Sequence, residues 1–506
     1  MTSSKVDPRN RLNDLDSSRW LQFQKSWFYF SPETLAEFIT FFTKKQYQVD
    51  QSSGSQQRRS RVGIFPENAG SLAPVVQSLG REVILLNEPF NVFSNNGTAL
   101  AEELDYILVD LRQIFADEES YFRHATLWLD RLQAMATRMK PNSYLTIFLC
   151  NLDAGATRIP LAWEFGKLVG CFLAMKDEKI GCLIGTAESP KAESATSSSA
   201  ANSQEWKSGA EVVYCLNFRR ESEIIPPVPQ LAQANYLPVD QRDQEDLSLN
   251  DRQAWFIVKP PPREKNVLLH PAKFPEPLIV RFIERFTRPG ERVFDPMAGT
   301  GSALVAAISC HREAYGLELN PTFCKITQQR LEKLSPSLPG LFEASKWQIS
   351  CGDAGGEETY EKLPASFHYI VTSPPYWDML RMKGAETQQK RRQAGLLQFY
   401  SDDARDLGNI SDYENFLDRL VKIYRHIATR LEPGRYMTII VKNVKKRGKI
   451  FPLAWDLAFR LCGDLALVRE QFWCQDDQKL APFGYRYAWV SNTFHHYCLH
   501  FQKPRK

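Results

Sequence analysis

Several features are scarce or absent in this sequence of 506 residues, and each absence excludes a class of protein. The net charge is only +4, from 63 Lys and Arg against 59 Asp and Glu, which excludes a histone-like protein held to nucleic acid by bulk charge, so any nucleic-acid contact must be local. No apolar run approaches the roughly 20 residues of a membrane span. Glu164 and Lys167 interrupt the best candidate, around Trp163. The polar N-terminus predicts no signal peptide, and we expect a cytoplasmic protein.

The ten cysteines stand singly, with no Cys-x-x-Cys spacing. Zinc sites commonly place their thiols in such pairs, so we predict reduced, mostly buried thiols and no metal site. Hydrophobic residues make up 43% of the chain and aromatic residues 12%, which is enough apolar area for large cores. Length alone predicts roughly three domain-sized units at about 150 residues each.

Two stretches punctuate the chain. The Ser/Ala-rich tract from Ala187 to Gln204 has no apolar periodicity and is typical of a loop. Residues 221–265 are rich in proline and charge and predict an inter-domain linker, with a boundary near residue 245. Beyond it the sequence predicts a helix at 277–286, the strand RVFDP with a glycine turn, the helix SALVAAISC and the strand AYGLEL. That order opens a doubly wound α/β sheet.

The two halves of the chain repeat each other. PNSYLTIFLCNLDAGATRIPLAW, from Pro141, matches PGRYMTIIVKNVKKRGKIFPLAW, from Pro433, without a gap, and nine of these 23 positions are identical. The offset is 263 at Tyr106 and Tyr369 but 292 here, so the second half carries 29 extra residues between these points. Two α/β domains that merely share element patterns would not match in this way. We infer a tandem duplication into domains at 1–220 and 266–506, joined by the linker at 221–265.

Two polar motifs lie at strand ends in the second half. The turn Asp295-Pro-Met-Ala-Gly-Thr-Gly-Ser302 lets the backbone approach a ligand at a helix N-terminus, and Glu318 ends the next strand, where a carboxylate can bind a ribose hydroxyl. In Tyr369-Ile-Val-Thr-Ser-Pro-Pro-Tyr-Trp377 the two prolines remove two donors and leave carbonyl oxygens facing outward. By itself, each motif is also compatible with a purely structural turn.

At these residues the sequence resembles the S-adenosylmethionine-dependent amino-methyltransferases of DNA, which methylate the exocyclic nitrogen of cytosine or adenine. DPMAGTG resembles the family's cofactor motif, SPPY its catalytic motif and HPAKFP, from His270, its remaining cofactor motif. The resemblance covers about residues 245 to 503 and implies two Rossmann-like methyltransferase domains, the first one degenerate. The cofactor-binding residues that it implies are Phe274, Asp295, Pro296, Ala298, Gly299, Thr300, Gly301, Glu318 and Asp353. Asp353 as a turn cap and Phe274 as a core residue remain alternatives.

The resemblance also implies that Ser373, Pro374, Pro375 and Tyr376 are catalytic. An exocyclic amine is a poor nucleophile because its lone pair is delocalised into the ring, and acceptors on both N–H groups free that pair for attack on the sulfonium methyl. We assign these acceptors to the Ser373 side chain and the Pro374 carbonyl, with Tyr376 stacking on a base flipped out of duplex DNA. Ser373, where adenine enzymes usually carry an acid or amide, resembles the cytosine-N4 branch. Adenine N6, an RNA (tRNA) base and a binding scaffold without turnover remain alternatives.

Basic residues follow the catalytic motif, within the region that contains the 29 extra residues. Because they stand beside the base pocket, we predict that they contact phosphates and base edges, although a solvated charged loop is the alternative. The predicted nucleic-acid-binding residues are Trp377, Arg381, Lys383, Lys390, Arg391 and Arg392. A second aromatic and basic stretch, Pro482 to Tyr497, is a candidate for the substrate groove or for core.

The first half lacks these motifs. Asp295 falls opposite Ile64, and Ser-Pro-Pro-Tyr falls opposite Asp110-Leu-Arg-Gln113. We therefore predict that the first half binds no cofactor, packs on the second with approximate two-fold symmetry and extends the nucleic-acid surface. The expected protein is a monomer with an internal pseudo-dimer, prokaryote-like and nucleoid-associated, and a cognate restriction enzyme is left open as its partner.

Overall fold

The structure is a computed structural model of the chain, and it describes residues 6, 10, 12–51, 54–87, 103–184, 208–209, 211–228, 236–240, 253–258, 274–334, 346–377, 403–446, 448–476 and 493–505. Two large β-sheets, one in each half, organise these residues. Both sheets are mainly parallel and alternate with helices along the chain, which confirms the predicted α/β fold.

The first half forms a seven-stranded sheet in the order β1-β10-β12-β7-β6-β4-β5. Its helices α1 to α5 are Ser17–Phe23, Thr34–Phe42, Pro66–Ser78, Glu118–Ala136 and Leu161–Val169. Strands β1 to β12 are Trp27–Tyr29, Gln46–Gln51, Gly54–Arg59, Arg61–Ile64, Glu82–Leu85, Leu104–Asp110, Met139–Leu149, Leu152–Ala154, Thr157–Ile159, Ala174–Leu183, Ser208–Gly209 and Glu211–Arg219. Strand β12 runs antiparallel to both of its neighbours, and the other pairs of this sheet are parallel.

The second half forms a nine-stranded sheet in the order β11-β13-β21-β22-β18-β17-β14-β15-β16. Its helices α6 to α10 are Glu276–Phe286, Ser302–Ser309, Pro321–Leu334, Tyr413–Thr429 and Leu453–Leu461. Strands β13 to β22 are Trp255–Ile257, Arg292–Asp295, Glu313–Glu318, Trp347–Cys351, Phe367–Thr372, Leu431–Val441, Val444–Lys446, Lys449–Phe451, Ala466–Cys474 and His495–Gln502. Helix α6, strand β14, helix α7 and strand β15 lie where the sequence predicts them.

Seven strands of each sheet follow one plan. In the order of the second sheet, β13-β21-β22-β18-β17-β14-β15 repeats β1-β10-β12-β7-β6-β4-β5, with the same parallel and antiparallel relations. The residue pairing keeps the sequence offsets: Tyr106 pairs with Tyr144 in β6 and β7, and Tyr369 pairs with Tyr436 in β17 and β18. Even the irregularity in β10, between Met175 and Asp177, recurs in β21 at the equivalent residues.

One segment departs from the predicted domain boundaries. Residues 255–257 lie within the predicted linker at 221–265, yet as β13 they pair with β21 in the second sheet, and β11, from the first half, pairs with β13. The first half therefore continues into the second sheet. The run of five apolar residues from Ala254 to Val258, between charged residues and prolines, is too short a signal to reveal a strand, which forms because β21 pairs with it.

Successive residues of the central strands enter different cores. In β6, Tyr106 and Leu108 pack with helices α2 and α3, whereas Ile107 and Val109 join a core that both halves share. In β17, Tyr369 and Val371 likewise join α6 and α7 in a core of the second half. Because alternate side chains of a strand point to opposite faces, each sheet is covered on both faces. Helices α4 and α5 of the first half and α9 and α10 of the second form the shared core.

Equivalent residues meet where the halves touch. Trp163 and Trp455, 292 positions apart, stack with ring centroids 6.3 Å apart and an interplanar angle of 9°. Asn151 Nδ2 donates to Glu470 Oε1 at 2.9 Å, and Asn443 Nδ2 donates to Glu178 Oε2 at 2.9 Å. Asn151 and Asn443 are 292 positions apart, as are Glu178 and Glu470, so the second hydrogen bond is the two-fold copy of the first. Such reciprocal contacts are the pattern of an isologous interface.

All ten cysteines lie in the described part of the chain and are free thiols, six of them buried. Among the described helices, none is long and apolar enough to cross a membrane. The described residues contain no group of three or more His, Cys, Asp or Glu arranged to hold a metal ion.

Candidate active site

A glycine turn joins β14 to α7. Gly301, at φ +80°, precedes the helix, and a Cβ at this position would lie 2.5 Å from Thr327 Cγ2 of α8. The left-handed conformation and the close approach both favour glycine over any residue that carries a Cβ. Thr327 Oγ1 donates to Gly299 O at 3.1 Å. The turn is therefore held against α8, and its backbone borders the cavity at the end of the sheet.

Two carboxyl groups lie at this edge. Glu318, at the end of β15, accepts the backbone N–H of Gly299 and that of Asn320, both at 2.8 Å. Burial raises the pKa of Glu318 to about 7, with a smaller contribution from the neighbouring charge of Asp295. Burial also raises the pKa of Asp295 to about 7, although the Met297 N–H, 3.0 Å from Oδ1, favours its ionised form. Both groups therefore change charge near neutral pH.

An open cleft of about 920 Å³, part of it continuous with solvent, lies over this edge. The lining residues predicted from sequence are Phe274, Pro296, Ala298, Gly299, Thr300, Glu318, Asp353, Ser373, Pro374 and Pro375. The glycine turn and the Ser-Pro-Pro loop, more than 70 residues apart in the chain, thus share one cleft. Asp295, Gly301 and Tyr376 are not among the residues that line the cleft.

The two residues for which the sequence left an alternative role, Asp353 and Phe274, line the cleft and also make a structural contact. Asp353 lines the cleft, and its Oδ1 also accepts the Gly355 N–H at 2.9 Å, as in a turn cap. Phe274 lines the cleft and packs against the core of the second half.

The Ser-Pro-Pro loop, which begins at Ser373, follows β17 and lies next to the glycine turn. Ser373 Oγ and Tyr376 OH lie 3.3 Å apart. Trp377 has φ +52°, a conformation that costs a bulky residue energy, and its buried ring packs on Tyr413 and Phe451 with centroids 5.3 and 4.8 Å away. The buried indole holds the end of the loop in this strained form.

The burial of Trp377, which is 4% exposed, differs from its predicted role as a nucleic-acid contact. The sequence does not show whether an aromatic residue after two prolines is buried and anchors the loop or is exposed to solvent. The packing of Trp377 on α9 and β20 shows that it is buried. The predicted residues Arg381, Lys383, Lys390, Arg391 and Arg392, and residues 482–492 of the second stretch, lie outside the described residues.

Sequence reasoning missed one wall of the cleft. Arg405, Asp406 and Leu407 precede or begin a short 3-10 helix, Leu407–Asn409, and Ile423 lies on α9. No motif spacing marks these residues, because the fold brings them to the cleft from beyond the Ser-Pro-Pro loop. The other lining residues not predicted lie within two positions of predicted ones: Met297, Ser302, Leu319, Asn320, Gly352 and Ala354.

The equivalent region of the first half is built differently. Helix α3 begins at Pro66, the position equivalent to Met297, so helix replaces the glycine turn. Asn68 stands at the position of Gly299 and exchanges hydrogen bonds with the backbone of Asp110, at 2.9 and 3.0 Å.

At the position of the Ser-Pro-Pro loop, Arg112 binds Asp110 through two nitrogens, at 2.9 and 2.7 Å. Its guanidinium lies 4.7 Å from the ring centroid of Phe30, the residue equivalent to Phe274. Side chains of the chain itself therefore meet here in the place where the second half has its cleft.

Comparison with known proteins gives three kinds of similarity. A family model described as "DNA methylase" matches residues 15–329, which include the glycine turn and end before the Ser-Pro-Pro loop. The chain is 42% identical over 62 residues to the putative methylase YubD of Escherichia coli (strain K12), covering 12% of this chain and 27% of that protein. It is 29% identical over 122 residues to the type II methyltransferase M.MjaI of Methanocaldococcus jannaschii, covering 24% and 39% respectively.

A third relative is the DNA adenine methyltransferase YhdJ of Escherichia coli (strain K12), 36% identical over 66 residues, 13% of this chain and 22% of that protein. Each of these matches spans less than two fifths of the relative's length. Among solved structures, a putative methyltransferase from Streptococcus mutans in complex with SAH is 12% identical with a TM-score of 0.27, covering 46% of this chain and 99% of that one. That structural likeness is too weak to carry an argument.

Proposed function

The chain belongs to the N6/N4 DNA methylase family, and we propose that its second half transfers a methyl group from S-adenosylmethionine to the exocyclic N4 of cytosine in duplex DNA. One observation carries the proposal: the glycine turn with Glu318 and the Ser373-Pro374-Pro375 loop line a single cleft. A cofactor bound along the turn would therefore lie next to the loop that we propose to bind the exocyclic amino group of the target base.

The residues present fit S-adenosylmethionine. The turn at residues 296–300 lines the cleft, and Glu318 and Asp353 offer carboxylate oxygens on the cleft wall. Glu318 would hold the ribose hydroxyls, Asp353 the adenine amino group, and the turn at residues 296–300 the methionine end. The cofactor supplies an activated methyl group on a sulfonium. The protein supplies its position.

The Ser-Pro-Pro loop supports activation of an amine. Pro374 is buried at the cleft wall and its ring fixes the backbone, so its carbonyl is pre-set as an acceptor, and Ser373 Oγ is the second acceptor. Two acceptors held in place lower the barrier because no reorganisation is needed during the reaction. Tyr376 would stack on the flipped base, and burial raises the pKa of its hydroxyl to about 12, so it stays a neutral partner of Ser373.

Ser373 supports cytosine N4 over adenine N6, since an uncharged hydroxyl stands where adenine enzymes usually carry an acid or amide. The similarity to an adenine methyltransferase keeps adenine N6 as the second candidate. An RNA (tRNA) base is a third.

The first half supports a duplicated domain that no longer binds cofactor. Its sheet has the order and register of the second, but α3 fills the place of the glycine turn and Arg112 lies on Phe30. The two-fold contacts between the halves support a monomer with an internal pseudo-dimer. We propose that this monomer acts on duplex DNA in the cytoplasm and that the basic segment containing Arg381 and Arg392 contacts the DNA phosphates. A restriction enzyme is a candidate partner.

Transfer of label from methyl-labelled S-adenosylmethionine tests this function. We expect label in duplex DNA, recovered as N4-methylcytosine after digestion to nucleosides. Recovery as N6-methyladenine would favour the second candidate, and label only in tRNA the third. No label in DNA or tRNA would leave a binding scaffold.

Cofactor binding should weaken as the pH falls. The pKa of Glu318 is about 7, so below neutral pH this group loses the charge that accepts ribose hydroxyls and attracts the sulfonium. For a group that must be ionised, affinity falls up to about tenfold for each pH unit below its pKa. Calorimetric titrations at pH 8, 7 and 6 should show this rise in Kd, and Glu318→Gln should reduce it to the part that Asp295 contributes.

In the cofactor-free protein, the stability of the fold should depend on pH in the opposite direction to cofactor affinity. A buried carboxyl with a raised pKa stabilises the fold below its usual value of 4.5, and this contribution is lost as the pH rises through about 7. A Kd that does not change between pH 8 and 6 would contradict the assignment of Glu318 to the cofactor.

A further inference from the structure

We propose that the first half takes part in catalysis by positioning the active edge of the second sheet, through three consecutive residues, Lys25, Ser26 and Trp27. The proposal rests on methyl transfer by the second half. It goes beyond a pseudo-enzyme that only enlarges the DNA surface, because it makes the turnover of the second half depend on named side chains of the first.

The strand directions define this edge. The catalytic loop follows the carboxyl end of β17, and β18, its parallel neighbour, ends at Val441, just before Lys442. Strand β22 is antiparallel to β18 and to β21, so its first residues lie at the same edge as Lys442 and as Gln475, which follows β21. The cofactor cleft lies over β14, β15 and β16, on the other side of the loop. A base that meets the cofactor at Ser373 would enter from the β18 and β22 side.

Three side chains of the first half bind this edge. Ser26 Oγ accepts the Phe494 N–H at 2.8 Å and lies 2.8 Å from His495 Nδ1, and Ser26 and His495 are both buried. Trp27 Nε1 donates to Gln475 O at 2.9 Å. Lys25 Nζ forms an ion pair with Asp476. The first residues of β22 and the residues after β21 are thus attached to one tripeptide.

The same residues lead to the catalytic loop. Gln475 N donates to Phe494 O at 2.7 Å, which ties the two strand ends together. Lys442 Nζ donates to Gln475 Oε1 and to Thr493 O, both at 3.3 Å.

His496, next to the residue that Ser26 holds, stacks on Trp473 with centroids 4.4 Å apart. Its ring centroid is 6.3 Å from that of Tyr376. A shift at Ser26 therefore moves the imidazole beside the proposed base-stacking tyrosine.

Comparison of the two sides of the two-fold repeat shows which of these contacts occur twice and which occur only at the edge of the second sheet. The backbone bonds occur on both sides of the molecule: Ile180 N donates to Ser26 O, and Phe472 N donates to Ala254 O. The tryptophan bond is also repeated, since Trp255 Nε1 donates to Leu183 O at 3.0 Å.

The side-chain bonds of Ser26 are not repeated. Position 254, equivalent to Ser26, is alanine, and Val212 stands at the position of His495. The polar contact is present only on the side that has the catalytic loop.

Ser26→Ala tests the proposal in the full chain. Small displacements of positioned groups lower turnover steeply, so we expect kcat to fall about tenfold while the KM for S-adenosylmethionine stays within about twofold. Trp27→Phe should lower kcat similarly. Trp255→Phe removes the matching bond on the inactive side and should leave kcat unchanged. Thermal melts of all three variants distinguish repositioning from unfolding.

An unimpaired Ser26→Ala variant in an active protein would overturn this inference and leave the proposed function intact. Equal losses of kcat in Trp27→Phe and Trp255→Phe would also overturn it, since the contact would then be structural. A wild-type protein that labels no nucleic acid would overturn both.

Discussion

A Ser373→Ala variant should bind S-adenosylmethionine as the wild-type protein does but transfer methyl groups roughly 100- to 1,000-fold more slowly. Ser373 lines the cleft beside Pro374, and its hydroxyl is one of the two acceptors proposed for the amino group. Without it, the lone pair of the amine stays delocalised in the ring. The change removes only a hydroxyl group from the cleft wall, so we expect the backbone that borders the proposed cofactor site to stay in place. Single-turnover labelling and calorimetry on the same preparation measure the two effects.

The matched control is Asp110→Ala, at the equivalent position of the first half. It breaks the bond to Arg112 but should leave turnover unchanged, because no cleft with a glycine turn adjoins it. Ser373→Ala with lost cofactor binding would show that the loop is structural. An Asp110→Ala variant without cofactor binding would overturn the assignment of the first half as non-binding.

Glu318→Ala should weaken S-adenosylmethionine binding by about 10- to 100-fold. The carboxylate can accept a charge-assisted hydrogen bond from a ribose hydroxyl, and such a bond contributes about 1.5–3 kcal/mol when it replaces water. It also orders the turn, since it accepts the Gly299 N–H. Loss of Glu318 therefore removes both a ligand contact and a support of the glycine backbone.

Asn87 is the first-half residue in register with Glu318, and Asn87→Ala is the control. Its affinity for the cofactor should equal that of the wild-type protein, and titration of the wild type should give one site per chain. Two sites per chain, or an unchanged Kd in Glu318→Ala, would contradict the assignment.

Much of the fold was predictable because local pattern and topology agree. The run RVFDP, the glycine turn and SALVAAISC form β14, the turn and α7, since apolar periodicity and glycine positions determine local backbone. Strand β13 was not predictable, because it depends on an edge of β21 that lies more than 200 residues away. Trp377 was misplaced for a related reason: its surroundings come from α9 and β20.

By itself the sequence determined the repeat, the two motifs at strand ends and the chemistry that they can offer, because each depends on residues close in the chain or on a constant offset. The tertiary structure decided which groups meet. It brought Ser373 into one cleft with Glu318, placed Arg405 and Leu407 on its wall, and filled the equivalent site of the first half with Arg112 on Phe30. It also placed Ser26 of the first half against the start of β22, at the edge of the second sheet that we propose to be active. Such contacts depend on packing across hundreds of residues, which no local pattern encodes.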